Sequence, residues 1–206
     1  MSFRKELKSI IFENKINKLT KWISDNNGKI LYPERNINSV YLDNRNFSMY
    51  TDSLEGTVPR KKIRIRNYNN LPVFNKNNNR LELKISSVEG RFKTTKQSEN
   101  INLSHFKIND INYGVCLPII CVSYKRIYYS VKNIRLTLDK KIIYRRIKFG
   151  KISNFCQNEP FNVIEIKYKN SSLDNSIKSF PFHFVRFSKY ARAIELINKK
   201  YNFYLN

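Results

Sequence analysis

RKKIRIRNY, residues 60–68, places a charge at every second position: Lys62, Arg64 and Arg66 alternate with Ile63 and Ile65. Successive side chains of a strand point to opposite faces, so residues i, i+2 and i+4 share one. As a strand, this stretch offers its isoleucines to an apolar layer and its cations to the other side. A half-exposed antiparallel strand with a solvated polar face accounts for it. The rest of the chain tests that reading.

The alternation recurs. In FRKELKS (3–9), Arg4, Glu6 and Lys8 share a face. RLELKIS (80–86) sets Arg80, Glu82 and Lys84 against Leu81, Leu83 and Ile85. RFKTTK (91–96) aligns Arg91, Lys93 and Thr95, and VSYKRIYYS (122–130) aligns Tyr124, Arg126 and Tyr128. IRLTLDKK (134–141) sets Arg135, Thr137, Asp139 and Lys141 against Ile134, Leu136 and Leu138. NVIEIKYK (162–169) sets Glu165, Lys167 and Lys169 against Ile164, Ile166 and Tyr168. The stripes are mostly cationic, and several embed one carboxylate.

A solvated sheet face mixes both signs and uses Thr, Ser and Gln freely. Here the balance is biased, and Arg is frequent. Its planar guanidinium suits multidentate phosphate binding. A sheet closed into a barrel offers the alternative: apolar faces turned out to helices, charged faces lining a central tunnel. Enclosed like charges are costly alone, so such a tunnel requires an anionic ligand. The isolated carboxylates suit a divalent cation, which takes oxygen ligands. Repetition over so many strands favours the lined tunnel. Glu82 and Asp139 also admit a plainer role, as counter-ions of neighbouring cations, and Tyr41, Tyr128 and Tyr129 read as packing residues.

Composition agrees with a charged partner. The chain has 206 residues, 41% of them hydrophobic and 14% aromatic, enough for one folded domain spanning 1–206. Its formal charge is +23. Self-repulsion on that scale disfavours a compact state unless anions offset it, so the partner is a polyanion: nucleic acid, an acidic membrane, or nucleotide or polymeric phosphate. Charge alone does not rank these. The odd set Cys116, Cys121 and Cys156 lacks metal-like spacing and suits a reducing compartment. The longest apolar run, VCLPIICV (115–122), is too short to span a bilayer. These features lead us to expect an intracellular, cytoplasmic protein. The glycines form neither GxxxxGK[ST] nor GxGxxG, so phosphate binding must rest on side chains. With His105 and His183 each beside Phe, no Ser–His–Asp or Cys–His arrangement is credible.

The remaining signals place a helix at 14–23, where Ile16, Leu19, Trp22 and Ile23 share a face, and a short helix or turn at 47–56, ending on Gly56. Further helices are expected at 171–180, with Ser171 or Ser172 as N-cap, and at 184–201. Residues 67–80 read as a loop, 103–112 as helical or irregular, and Gly90 as the turn of a hairpin over 80–97. The expected fold class is α+β, with about eight mostly antiparallel strands closed into a tunnel barrel and flanked by helices.

The order FRKELK, VYLDNRNFSMYTDSLEG, RKKIRIR, LELK, FK, YKR, RLTLD, IEIKY and FSKY, over residues 3 to 195, resembles the VTC domain of the triphosphate tunnel metalloenzymes, the CYTH-like superfamily. The resemblance implies an antiparallel tunnel whose basic interior binds ATP, triphosphate or polyphosphate with Mn²⁺ or Mg²⁺. It implies transfer of the ATP γ-phosphate onto a growing polyphosphate chain. By motif position it implies phosphate contacts from Lys8, Arg64, Arg66, Lys84, Lys93, Arg126, Ser188 and Lys189, with Tyr124 nearby. Lys62, Arg135 and Lys167 join them by strand face. Glu165 matches the metal carboxylate, with Glu6 and Glu82 as the other strand-face acids. Hydrolytic relatives carry ExExK on the first strand, where this chain has Arg4-x-Glu6-x-Lys8. One acid fewer leaves less to hold a second, water-activating metal and favours transfer or binding over hydrolysis. Hydrolysis of triphosphates and non-catalytic capture of polyanions, nucleic acid included, stay open as alternatives. Any coupling to a membrane would need a partner protein.

Overall fold

A computed structural model describes residues 4–76, 78–169 and 175–201. In chain order the elements are β1 (Arg4–Ile11), α1 (Ile16–Asp25), β2 (Lys29–Asp43), α2 (Ser48–Glu55), β3 (Arg60–Asn67), β4 (Asn79–Ser86), β5 (Arg91–Ser98), β6 (Ile108–Asp110), β7 (Gly114–Val131), β8 (Ile134–Lys148), β9 (Lys151–Ile152), β10 (Gln157–Asn158), β11 (Asn162–Lys169), α3 (Asn175–Lys178) and α4 (Lys189–Tyr201). The α+β class holds.

Among the described residues eleven strands follow the order β1-β11-β8-β7-β2-β3-β4-β5, with β6 on β7 and both β9 and β10 on β8. This path begins at β1 and ends at β5, so hydrogen bonds do not close the sheet among the described residues. The expected closed barrel of about eight strands is corrected to an open antiparallel sheet. Each end has a physical reason to stop. Val185 N–H donates to Lys8 C=O at 2.8 Å, so the 183–187 segment takes up the edge of β1. Strand β5 is exposed over nearly its whole length and carries Arg91, Lys93 and Lys96, charges that discourage further pairing.

The described residues form two compact units, those of 1–35, 124–142 and 159–187 in the first, and those of 36–123, 143–158 and 188–206 in the second. In the first, the apolar faces of the strands form the core. Leu136, Leu138, Ile164 and Ile166 pack with Leu19, Trp22 and Ile23 of α1 and with Ile177 and Phe180. Full burial of such a side chain contributes about 1.5–3 kcal/mol. Trp22 meets Phe180 edge to face at 5.1 Å and donates its indole N–H to Ser179 Oγ at 3.2 Å. Gly28 closes α1 onto β2: a Cβ there would lie 2.4 Å from Ile23 Cγ2 and 2.8 Å from the Ile23 carbonyl oxygen.

In the second unit β3, β4 and β5 form a meander in tight register. The Asn-rich loop between β3 and β4 is tied to the sheet by buried amides. Asn38 Nδ2 donates to Asn67 Oδ1 at 3.1 Å, Asn67 Nδ2 to Asn79 Oδ1 at 3.2 Å, and Asn79 Nδ2 to the Phe74 carbonyl at 2.6 Å. Buried amides satisfied in this way fix one loop conformation. Gly56, at φ 83°, ends α2 as expected, and Ser87 and Gly90 exchange backbone hydrogen bonds in the β4–β5 turn.

Other expectations shift. Helix α4 starts at Lys189 rather than 184, because Ser188 caps it: Ser188 Oγ accepts from Ala191 N–H at 3.4 Å. Of the helix expected at 171–180, the described residues form α3 at Asn175–Lys178, and its proposed caps Ser171 and Ser172 lie outside the described residues. Residues 103–112 form turns and β6. No described helix is long and apolar enough to cross a membrane.

Candidate functional site

Residues 60–68 lie in the second unit. Lys62, Arg64 and Arg66 of β3 stand in register with Lys84, Glu82 and Arg80 of β4, and Lys84 stands in register with Lys93 of β5. Enclosure varies along this face. Glu82 is 2% exposed and Arg66 7%, whereas Leu81 and Leu83 on the opposite face are only half-buried. On the charged side of β4, Glu82 is buried, Lys84 is half-buried and Arg80 is exposed.

Glu82 is the focus of the cluster. Arg64 Nε donates to Glu82 Oε2 at 2.6 Å, and Lys93 Nζ donates to Oε1 at 2.6 Å. Arg66 Nη1 stands 3.7 Å from Oε2. Burial pushes the Glu82 carboxyl up, but Arg64, Arg66 and Lys93 outweigh it and bring the pKa down to about 2. Arg64 Nη1 also donates to the Tyr41 hydroxyl at 3.2 Å. Burial would raise that phenol, yet Arg64, Arg66 and Lys189 draw it below the ordinary range. A buried phenol shifted downward reports a strongly positive local potential.

The FSKY motif supplies the next residues of this unit. Lys62 Nζ donates to Ser188 Oγ at 2.9 Å, tying the N-cap of α4 to β3. Tyr190 stacks on Tyr41 with ring centroids 5.1 Å apart. Its hydroxyl donates to Asp43 Oδ2 at 2.5 Å, and the same carboxylate accepts the Met49 and Tyr50 N–H groups that open α2.

The first unit holds a second cluster. Lys8, Glu165 and Thr137 occupy one row across β1, β11 and β8, and Glu6, Lys167 and Arg135 occupy another. Lys167 Nζ lies 2.8 Å from Glu165 Oε1 and 3.7 Å from Glu6 Oε2. Lys8 Nζ lies 3.3 Å from Glu6 Oε1 and donates to the Phe187 carbonyl at 2.9 Å. Burial raises the Glu165 carboxyl, but Lys167, Arg126 and Lys8 prevail and hold it well below the usual carboxylate range. Arg126 lies over the Tyr124 ring, 5.2 Å from its centroid, and pairs with Asp139. Arg135 is exposed at the end of its row.

The sequence-predicted residues thus fall into two groups. Lys62, Arg64, Arg66, Lys84, Lys93, Ser188, Lys189 and Glu82 lie in the second unit. Lys8, Arg126, Tyr124, Arg135, Lys167, Glu165 and Glu6 lie in the first. Among the described residues no group of three or more His, Cys, Asp or Glu is placed to hold a metal. The donor set nevertheless suits one hard cation that brings phosphate oxygens with it, since Mg²⁺ commonly takes one or two carboxylates plus substrate phosphates. Glu165 and Glu6 already share one cationic group, and the Thr137 hydroxyl beside Glu165 is buried without a hydrogen-bond partner. Both oxygens of Glu82, the third expected metal carboxylate, accept from cations, Oε2 from Arg64 and Oε1 from Lys93.

Some residues of the clusters were not singled out by sequence. Tyr41, read as packing, touches Arg64. Asp139 was legible only as a counter-ion. Thr137 carried a signal, the i, i+2 spacing within RLTLD, but its lack of a partner appears only in three dimensions. The Tyr190–Asp43 bond joins residues too far apart in sequence for any local pattern.

The family model for the VTC domain matches residues 3–198. A comparison with curated proteins finds no match. Among solved structures, the chain is similar to a candidate adenylate cyclase of Vibrio parahaemolyticus, at 12% identity and a TM-score of 0.49, covering 96% of this chain and 88% of that one. It is similar to a protein of Pyrococcus horikoshii OT3, at 13% identity and a TM-score of 0.46, over 86% and 84% of the two chains. A candidate adenylyl cyclase of Hippeastrum, described with a dominant triphosphatase activity, aligns at 14% identity and a TM-score of 0.44, over 95% and 96%.

Proposed function

The chain belongs to the VTC-domain family, and on that premise we propose that it is a polyphosphate polymerase, moving the γ-phosphate of ATP onto the end of a polyphosphate chain. The observation that carries the reading is the lysine row Lys62–Lys84–Lys93 beside Arg64 and Arg66. Like charges directly across neighbouring strands repel, and β3, β4 and β5 offer Glu82 as their one carboxylate. A face with that imbalance is suited to a polyanion.

The chemistry follows from positioning and charge. Phosphoryl transfer asks little covalent work of a protein and much electrostatic stabilisation of the transferring oxygens. Arg64 and Arg66 offer planar donors, and Lys62, Lys84 and Lys93 offer mobile point charges. Lys8, Lys167 and Arg126 do the same in the first unit. The acceptor is a phosphate end already ionised at neutral pH, so no strong general base is required. Glu165, with Glu6 and Thr137 beside it, would hold Mn²⁺ or Mg²⁺, which when bound neutralises phosphate charge. Arg4 in place of the first acid of ExExK disfavours a second metal and hence hydrolysis.

Incubation with ATP and Mn²⁺ followed by ³¹P NMR tests the proposal. Growth of the internal-phosphate signal is expected. Orthophosphate without polymer would make the protein a hydrolase, and tight binding without turnover would make it a polyanion-binding module.

A further inference from the structure

Two hydroxyl oxygens among the described residues are buried without a hydrogen-bond partner: Ser9 Oγ and Thr137 Oγ1. A buried polar atom without a partner forfeits about 1–3 kcal/mol, so each calls for an explanation. Their surroundings differ. Ser9 shares a strand face with Leu7 and Ile11, both of which pack in the apolar core, so it lies on the core side of β1. Thr137 alternates between Leu136 and Leu138 of that core, and so faces the other way. It stands in register with Glu165, which stands in register with Lys8.

A hydroxyl beside an ionised carboxylate ordinarily donates to it. Here Glu165 Oε1 is engaged by Lys167 at 2.8 Å instead, and Thr137, 3% exposed, has no water-facing surface to compensate.

We infer that Thr137 Oγ1 is an oxygen ligand for a divalent cation held at Glu165. The inference rests on the triphosphate-binding reading above. A cation beside Lys8 and Lys167 is repelled until those ammonium groups turn to phosphate oxygens. The cation and the phosphate therefore bind together, and Lys167 gives up its place at Glu165 as they do. A hard cation accepts a neutral hydroxyl next to a carboxylate readily.

The test compares the tripolyphosphate dissociation constant in excess Mn²⁺ with that in EDTA, by calorimetry, for wild type, Thr137→Val, Thr137→Ser and Ser9→Ala. Chelation of free Mn²⁺ by tripolyphosphate is common to all four and cancels between them. Thr137→Val should shift the ratio of the two constants by about tenfold toward weaker binding in Mn²⁺, the scale on which metal-site partners act. Affinity in EDTA should stay at the wild-type value. Thr137→Ser keeps the hydroxyl and should keep the ratio, as should Ser9→Ala. Without ligand, Thr137→Val should melt no lower than wild type, because it removes a hydroxyl that has no partner. A ratio unchanged in Thr137→Val, or changed equally in Thr137→Ser, overturns the inference and leaves the triphosphate reading standing. Wild type that binds no tripolyphosphate in either buffer overturns both.

Discussion

Asp139 receives the Arg126 guanidinium through two bonds, from Nε at 2.5 Å and from Nη2 at 2.7 Å, with Asp139 fully buried and Arg126 9% exposed. The rings of Tyr124 and Tyr128 lie 5.2 and 5.8 Å from the same guanidinium. One edge of Arg126 is thus fixed by a carboxylate and its plane by aromatic rings. Asp139→Asn keeps the size and removes the charge. Breaking a buried pair from one side costs about 3–5 kcal/mol, so urea unfolding should show a loss toward that scale. Arg126 would then gain from a phosphate what it lost in Asp139. The rise in melting temperature on adding tripolyphosphate should be larger in Asp139→Asn than in wild type. An equal or smaller rise would mean that Arg126 does not meet the ligand.

Glu82 makes stability depend on acid pH. Its folded pKa, near 2, is depressed below the ordinary value of 4.5. A depressed carboxyl contributes stability that is fully present above its unfolded pKa and is lost as pH falls through the folded one. The difference corresponds to roughly 3 kcal/mol at full effect. Unfolding free energy should therefore drop between about pH 4.5 and 2. Glu82→Gln should be less stable at pH 7 and should show a flatter slope across that window. Parallel slopes for the two proteins would show that the three cations do not set this pKa.

The charged stripe on β3 was legible because strand alternation is strictly local, and so were Glu165, Lys167 and Lys8. What alternation leaves open is which face is enclosed. That depends on what covers the sheet, and here it is Glu82 rather than Leu83 that is buried. The loop at 67–80 was legible as a loop, but the amides that hold it were not, since pairing such as Asn38 to Asn67 joins residues 29 apart. Helix α4 was placed too early because Phe184 and Phe187 continue its apolar spacing. They instead belong to the extended segment along β1, where Phe187 packs on Phe161 at 5.8 Å between ring centroids. Closure of the sheet was inferred from repetition of a pattern, and repetition says nothing about how edges end.

Ser188 holds two positions at once, as N-cap of α4 and as partner of Lys62. Loss of a serine cap costs about 0.5–2 kcal/mol. Ser188→Ala should lose stability on that scale by denaturant titration. It should also loosen Lys62 and thereby weaken tripolyphosphate binding, whereas Ser188→Asp should restore the cap but hold Lys62 by charge and weaken binding further. Equal affinity in wild type and Ser188→Asp would separate the cap from the site.

Glu165→Gln and Arg64→Ala should fail in different ways. Glutamine keeps the size and polarity of Glu165 but removes the charge that a hard cation needs. Lys8, Lys167 and Arg126, which hold the Glu165 carboxyl well below its ordinary range, stay in place and lose an internal competitor for phosphate. Turnover of ATP should fall below detection while tripolyphosphate affinity is kept or strengthened. Arg64→Ala removes a guanidinium that now spans Glu82 and Tyr41. A charge-assisted hydrogen bond is worth about 1.5–3 kcal/mol, so affinity and rate should both fall by a factor of ten to a few hundred. Because Glu165 is ionised far into acid, wild-type turnover should not lose a proton-linked step between pH 5 and 7 on its account. The measurements are ³¹P NMR for polymer and calorimetry for affinity, at limiting Mn²⁺. Equal turnover in wild type and Glu165→Gln would remove Glu165 as the cation's carboxylate and pass that role to Glu6, which shares Lys167 with it at 3.7 Å.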